Sequence, residues 1–238
     1  MKALLRIAHA IDGVSERLGS VSSFIVVLLI FVGFFNVVIR YIGRFTNSDV
    51  FGDITRLLFG QARSGNFVTE VQWYLFSLLF FLGFGYILKH GVNVRVDFLY
   101  TKWSPKRQAL VDFLGTLLIL IPFCVLGIYV TLVPVLFSWG FISRGSAQDI
   151  FDFLAKGSFT GLMEGSPDPG GLPRAPIRSF IIVAFLLMLL QAVSQLIKYF
   201  AVLRGQTEVL REIRADETPE AEAVIAEVAE RAKKIIKS

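Results

Sequence analysis

Apolar residues fall into four long runs, at about residues 22–39, 71–88, 110–137 and 177–197. A helix needs about 20 apolar residues to cross the hydrocarbon core of a bilayer, and these runs approach or exceed that length. The second run lies between Glu70 and Lys89, with Trp73 near one end and Tyr86 near the other. Aromatic residues are enriched at both membrane interfaces. The pattern therefore predicts an all-α integral membrane protein with four transmembrane helices.

The third run is the longest of the four and contains two prolines, Pro122 and Pro134. It exceeds the length of a straight crossing, so we expect this helix to be tilted or to project from the membrane. Each proline can kink it, because transmembrane helices tolerate proline. The preceding Trp103-Ser104-Pro105 favours a helix start there, since proline suits the first turn.

The segments around these runs divide the chain into three parts. Residues 1–19 place apolar residues three or four positions apart, which predicts an amphipathic helix with a basic start on the membrane surface. A cleaved signal peptide is the alternative, but the charged region is too long and no small-residue cleavage site follows. Residues 20–204 form the membrane domain. Residues 205–238 are a charged tail, in which Thr218-Pro219 begins an amphipathic surface or partner-binding helix.

The composition agrees with a membrane protein and indicates its orientation. Hydrophobic residues make up 54% of the chain, above the roughly 45–50% of a soluble domain. The net charge of +5 does not indicate nucleic-acid binding, because the basic residues are spread around the apolar runs. Sixteen of the 24 lysines and arginines lie in the N-terminal segment, in the loop after the second run and in the C-terminal stretch from Lys198 to Lys237. The positive-inside rule therefore predicts that both termini are cytoplasmic.

Residues typical of catalysis or ion coupling are missing from the apolar runs. Their interiors contain no Asp, Glu, Lys, Arg or His, which proton relays and voltage sensors require. The two histidines, His9 and His90, lie outside these interiors, so a haem-binding bundle is not favoured. Cys124 is the sole cysteine and cannot form an internal disulfide. We therefore predict no enzymatic activity, no cofactor and no metal.

Polar residues at the ends of the runs are the candidate functional positions. Arg40 and Glu70 end neighbouring runs and either form an ion pair or each contact lipid headgroups. Arg95 and Asp97 lie two apart, so they either pair with another chain or stabilise a solvated loop. Gln191 and Ser194 share one helical face with Gln195 and Lys198, and we expect this face to contact a partner protein. The long loop 140–176 should have a role of its own.

Within that loop, Gly157, Gly161 and Gly165 recur at every fourth position. This spacing is compatible with a close helix-packing face, but the polarity of the segment favours a loop.

The polar residues also resemble those of a known family, the small membrane subunit (DctQ-like) of tripartite ATP-independent periplasmic (TRAP) transporters. The resemblance runs from about residue 31 to residue 198. It rests on three sets of residues: Asn36 to Arg40; Glu70, Gln72 and Trp73 with Leu82 to Gly85, Lys89, His90, Arg95 and Asp97; and Glu164, Ser166, Gly170, Gly171, Pro173, Gln191 and Ser194. The last set is similar to the branch for mannitol, chloroaromatic or 2-oxo acid uptake. Asn93 departs from the family, which often has histidine there.

The resemblance implies a non-catalytic subunit of the bacterial inner membrane. Its expected partners are a large multispan transporter subunit, a periplasmic solute-binding protein and membrane lipids, and the system would take up organic acids with sodium. Two other functions stay open from the residues alone. One is a cofactor-binding membrane enzyme or electron-transfer subunit, and the other is an assembly or signalling protein that acts through residues 205–238.

Overall fold

The computed structural model describes residues 2–46, 50–59, 65–91, 103–141, 163–167 and 171–206, with the single residues Val209, Glu212, Ile213 and Asp216. Regular structure in these residues is entirely helical. The helices are α1 (Lys2–Thr46), α2 (Val50–Phe59), α3 (Gly65–Lys89), α4 (Pro105–Gly115), a π-helical turn (Thr116–Leu120), α5 (Ile121–Ser138) and α6 (Ala175–Leu203).

Four helical stretches are long and apolar enough to span a membrane: Ala3–Thr46, Phe67–Lys89, Lys106–Ser138 and Ala175–Leu203. They contain the four predicted apolar runs, so the all-α fold with four membrane-spanning helices is confirmed. Large apolar side chains cover much of their surface, and Phe24, Ile30 and Ile119 are each more than 60% exposed. Such a surface is stable only against lipid or another apolar protein surface.

The first helix differs from the expectation of two separate helices. Residues 1–19 were expected to form a surface helix of their own, but α1 continues without a break into the first apolar run and ends at Thr46. Ser22 and Ser23 do not interrupt it, because their hydroxyls donate to the carbonyls of Leu18 and Gly19 on the preceding turn. The N-terminal segment is therefore the first part of a long helix.

The third spanning stretch starts where its sequence predicts, and its helix is irregular just before the first of its two prolines. Ser104 has an extended backbone at the N-cap and Pro105 follows in the first turn. The turn before Pro122 is π-helical, and the N–H of Ile121 bonds to the carbonyl of Thr116, five residues earlier. Proline has no N–H and its ring collides with the carbonyl of the preceding turn, so a widened turn accommodates it.

The structure divides into two compact units, which are formed from three and from two segments of the chain. The first unit comprises residues 1–16, 85–123 and 188–238. Its described core consists of Ala109, Ala201, Val202 and Val209, with Leu5, Leu203 and Ile213 packed around it. Gly205 has a φ of +92°, which a glycine adopts without strain, and its N–H bonds to the carbonyl of Val202. This turn ends α6.

The second unit comprises residues 17–84 and 124–187. Here α5 and α6 pack closely at Gly127, where a Cβ atom would lie 2.5 Å from the ring of Phe185. α1 and α3 also approach closely, since a Cβ at Gly33 would lie 2.9 Å from the amide of Gln72. Small residues allow such approach between membrane helices.

Candidate functional site

The first unit contains a group of charged and polar side chains centred on Lys198. We call it the Lys198 cluster; its members are Asp12, Ser15, Glu16, Lys89, His90, Gln191, Ser194, Lys198, Glu212 and Asp216. The Nζ atom of Lys198 lies 2.8 Å from Asp12 Oδ2 and 3.1 Å from Asp216 Oδ2. The side chains of Lys198 and Asp12 are only 5% and 8% exposed. Since charges buried so deeply require a partner, these groups depend on one another.

The other carboxylate oxygen of Asp12 is held by uncharged donors. Gln191 Nε2 and Ser194 Oγ donate to Asp12 Oδ1 at 2.9 Å and 2.7 Å. Ser15 Oγ then donates to Gln191 Oε1 at 2.6 Å. Gln191 and Ser194 are 1% and 0% exposed, so the partner-binding face expected from their spacing is an internal contact with α1. The polar side of the N-terminal helix satisfies them within the chain.

Lys89 and His90, at the end of α3, extend the cluster. Lys89 Nζ lies 2.8 Å from Glu16 Oε2, and His90 Nε2 lies 3.1 Å from the same oxygen. The other ring nitrogen of His90 lies 2.8 Å from the backbone carbonyl of Asp216. Gln195 donates to the carbonyl of Leu88. Residues from the N-terminus, from α3, from α6 and from the segment after α6 therefore meet in one network.

The carboxylates of Asp12, Glu212 and Asp216 lie close enough together to bind a metal ion. Lys198 already provides a cation there, because its Nζ is 2.8 Å, 3.5 Å and 3.1 Å from these three residues. An ammonium group among the carboxylates repels a second cation. The arrangement is therefore an ion-pair network and not a candidate metal centre.

The second unit contains a different polar feature, formed by the loop before α6. Residues 163–167 and 171–174 are fastened to the spanning helices, and we call them the strap. The carboxylate of Glu70 on α3 accepts hydrogen bonds from the hydroxyl of Ser166 and the backbone N–H of Leu172. The hydroxyl of Tyr74, one turn further along α3, donates to the carbonyl of Pro173. The strap thus bonds to α3 at three points.

Glu164 fastens the other side of the strap to α5 and α6. Arg178 forms a two-pronged ion pair with its carboxylate, with nitrogen–oxygen distances of 2.6 Å and 2.9 Å. Ser138 Oγ donates to Glu164 Oε2 at 2.6 Å. The backbone of Glu164 also bonds to the carbonyl of Ser138 and to the N–H of Arg174. Two carboxylates, Glu70 and Glu164, therefore hold this loop on three helices.

Gly171 is required by this packing. A Cβ atom at that position would lie 2.5 Å from both carboxylate oxygens of Glu70 and from the hydroxyl of Ser166. Gly165, in the same strap, has no atom within 4 Å of the corresponding position. Of these two glycines, only Gly171 lets the backbone approach the Glu70 carboxylate closely.

The remaining predicted positions lie apart from the strap contacts. Asn36 Nδ2 donates to Gln72 Oε1 at 2.8 Å, which links α1 to α3. Arg40 lines a surface recess with Tyr41 and Arg44. Among the residues that the structure describes, Glu70 bonds to the strap and forms no ion pair with Arg40. The interhelical ion pair considered from the sequence is therefore not part of this site.

A cavity of about 490 Å³ lies beside the strap. It is lined by polar and aromatic side chains of α3 together with the strap and the first turn of α6: Thr69, Glu70, Trp73, Tyr74, Ser77, Leu172, Arg174, Ile177 and Arg178. Trp73 is 68% exposed at this cavity.

The structure brings together five of the positions that the sequence singled out, namely Glu70, Glu164, Ser166, Gly171 and Pro173. Arg95, Asp97 and Gly170 lie outside the described residues, as do Gly157, Gly161 and the helix expected from Thr218-Pro219. Sequence reasoning did not identify Asp12, Glu212 and Asp216 as partners of Lys198. It also did not identify Glu16 as the partner of Lys89 and His90. Asp12, Ser15 and Glu16 are three and four positions apart and therefore share one face of α1. This spacing could have predicted that a polar face of α1 packs against the polar face of α6.

Comparison with known proteins gives the family. Residues 29–201 match the family model described as tripartite ATP-independent periplasmic transporters, DctQ component. No curated protein and no solved structure matches the chain. The matched region includes residues 29–46 of α1, the second and third spanning stretches, all of the strap and α6 as far as Ala201. With its four apolar helices, this chain belongs to the DctQ family, the small membrane subunit of TRAP transporters, and is a multi-pass protein of the bacterial inner membrane.

Proposed function

We propose that this chain is a non-catalytic scaffold that anchors the large transport subunit, and that its strap helps to dock the solute-binding protein. In this proposal the assembled system takes up an organic acid with sodium, and both termini of this chain are cytoplasmic. Family membership supports the subunit role, because DctQ is a component of a transporter. The further roles rest on the following features of the chain.

The apolar runs carry too little charge for ion coupling. Within the four runs, the acidic and basic residues are Asp112 and Arg178, and each lies within three residues of an end. Coupling ions and charged solutes require polar groups at membrane depth. A larger partner must therefore provide the translocation site.

A wide apolar surface on α1 supports contact with such a partner. Side chains at positions three or four apart remain largely exposed along this helix, including Phe24, Phe31, Phe34 and Phe45. Phe34 and Phe35 also pack edge to face, with ring centroids 5.8 Å apart. Aromatic side chains contribute large contact areas at protein interfaces. We assign this face of α1 to the large subunit.

The strap is the single observation that carries the docking role. A loop used for docking must keep its shape when the partner is absent, because ordering it during binding lowers affinity. Glu70, Tyr74 and Glu164 hold the strap on the spanning helices through hydrogen bonds and a two-pronged ion pair. The positive-inside rule assigns this loop to the periplasmic side, where the binding protein is found.

Reconstitution of the three-component system in proteoliposomes would test this role. Glu164→Gln should leave the large subunit bound. It should raise the binding-protein concentration needed for half-maximal uptake by about tenfold, since a charge-assisted contact of the strap is lost. Asp53→Asn, an exposed carboxylate on α2, is the matched control and should change little. Equal responses of wild type and Glu164→Gln would contradict the docking role.

A site-specific photocrosslinker would test the assigned α1 face. Placed at Phe34, it should label the large subunit, whereas at Ile119, an exposed position in the third spanning stretch, it should label mainly lipid. Labelling of the large subunit from Ile119 and not from Phe34 would move the interface away from α1.

A further inference from the structure

We propose that the cavity beside the strap binds the phosphate headgroup of a phospholipid, with an acyl chain lying along α3. This lipid site goes beyond the scaffold and docking roles and does not depend on them. The cavity is lined by residues of the second unit alone, and its volume of about 490 Å³ is within the range of roughly 300–1,000 Å³ that is typical of ligand sites.

The charges in the cavity favour an anion. Both oxygens of the Glu70 carboxylate already accept hydrogen bonds from the strap. The guanidinium of Arg178 is paired with Glu164. Arg174, in contrast, bonds only through its backbone within the part of the chain that the structure describes, so its guanidinium remains available. An arginine fork matches the geometry of a phosphate group.

A second donor lies on the same cavity. The indole of Trp73 is 68% exposed, and its N–H has no acceptor among the described residues. The first turn of α6 also begins at Ala175, next to Arg174, and helix N-termini favour negative charge. The indole of Trp73 and the guanidinium of Arg174 belong to residues that line the same cavity, so a ligand that accepts hydrogen bonds suits it.

The surface of α3 distinguishes a lipid from a soluble anion. Trp73, Phe76 and Phe80 lie three and four positions apart, and each is more than half exposed. They form an apolar stripe that starts at the cavity and continues along a membrane-spanning helix. A phosphate at Arg174 with an acyl chain along Phe76 and Phe80 would occupy both features. A soluble organic acid would leave the stripe uncovered.

Native mass spectrometry of the full chain would test this site. The chain should be purified in mild detergent, stripped of lipid and titrated with phosphatidylethanolamine and phosphatidylglycerol. We expect about one tightly held phospholipid, with its affinity reduced on the order of tenfold in Arg174→Gln, because a charge-assisted contact to the phosphate is lost. Arg44→Gln is the matched control, since Arg44 is an exposed arginine at the end of α1, and it should retain the lipid.

A second variant guards against an effect on folding. Trp73→Phe keeps an exposed aromatic ring, although a smaller one, and removes the N–H donor, so the fold should survive while lipid affinity falls severalfold. Equal lipid retention in wild type, Arg174→Gln and Trp73→Phe would overturn the proposal. Stoichiometric binding of inorganic phosphate or succinate without retention of phospholipid would also overturn it, because the cavity would then be a site for soluble anions.

Discussion

The Lys198 cluster and the strap both hold distant parts of the chain together, but they do so by different physical means. In the cluster, Lys198 and Asp12 are almost fully buried, and uncharged donors complete the coordination of the Asp12 carboxylate. In the strap, the charged pair of Glu164 and Arg178 is 28–33% exposed, and several contacts use backbone groups. The cluster therefore depends on a few buried charges, whereas the strap spreads its stability over many partly solvated contacts.

The largest expected effect is the loss of one charge from the cluster. Lys198→Met leaves Asp12 buried without its cation, and we expect the free energy of unfolding to fall by about 3–5 kcal/mol. The double variant Asp12→Asn with Lys198→Met should recover much of this loss, because no unpaired charge then remains beside Gln191 and Ser194. Reversible unfolding in mixed detergent micelles would measure both values. Lys106→Met, at an exposed position, is the control and should change stability by less than ~0.5 kcal/mol.

Loss of the ion pair in the strap should have a smaller effect. Glu164→Gln removes the charge that faces Arg178, and we expect a loss of about 1–2 kcal/mol because solvent screens a partly exposed pair. The same measurement at increasing salt sharpens the contrast. The strap contribution should decline with salt, while that of Lys198 should change little. If Glu164→Gln lowered the free energy of unfolding more than Lys198→Met, the strap and not the cluster would depend more strongly on a single charge, which would contradict the comparison.

The two glycines of the strap provide a matched pair. Gly171→Ala forces a Cβ atom against Glu70 and Ser166, so we expect a loss of about 1–3 kcal/mol and faster protease cleavage at the strap. Gly165→Ala meets no neighbouring atom and should be within ~0.5 kcal/mol of wild type. Equal cleavage rates in both variants would mean that the strap does not require close contact with α3.

The smallest effect concerns Asn36 and Gln72, which join α1 to α3 without charge. A double-mutant cycle with Asn36→Ala and Gln72→Ala should give a coupling energy of about 0.6 kcal/mol, typical of hydrogen bonds between membrane helices. A coupling energy near zero would mean that the hydrogen bond between Asn36 and Gln72 does not stabilise the pairing of α1 with α3.

The sequence predicts the four spanning helices well, because an uninterrupted apolar run has few alternatives to a transmembrane helix. It also identifies Glu70, Glu164, Ser166, Gly171 and Pro173, although their contacts with one another depend on how the loop folds back. The family resemblance supplied these positions, and the structure supplies their geometry. The finer branch, the coupling ion and the organic acid stay predictions, since the family match does not extend to them.

The Lys198 cluster shows what periodicity alone cannot give. An apolar stripe in residues 1–19 predicts a surface helix. Two members of that stripe, Leu4 and Val14, are exposed, whereas Asp12 and Ser15 on the polar side are buried. In an apolar environment polar side chains are stabilised by one another, so the polar face of this helix packs against Gln191, Ser194 and Lys198. A prediction of this pairing requires the two polar faces to be compared with each other.

Purification of the tagged chain from its native membrane in mild detergent, with its companions identified by mass, tests the central claim most directly. The scaffold role predicts an approximately equimolar large multispan subunit, with the solute-binding protein present under the mildest conditions. Recovery of the chain alone, folded and uniform, would contradict its role as the anchor of a larger transporter.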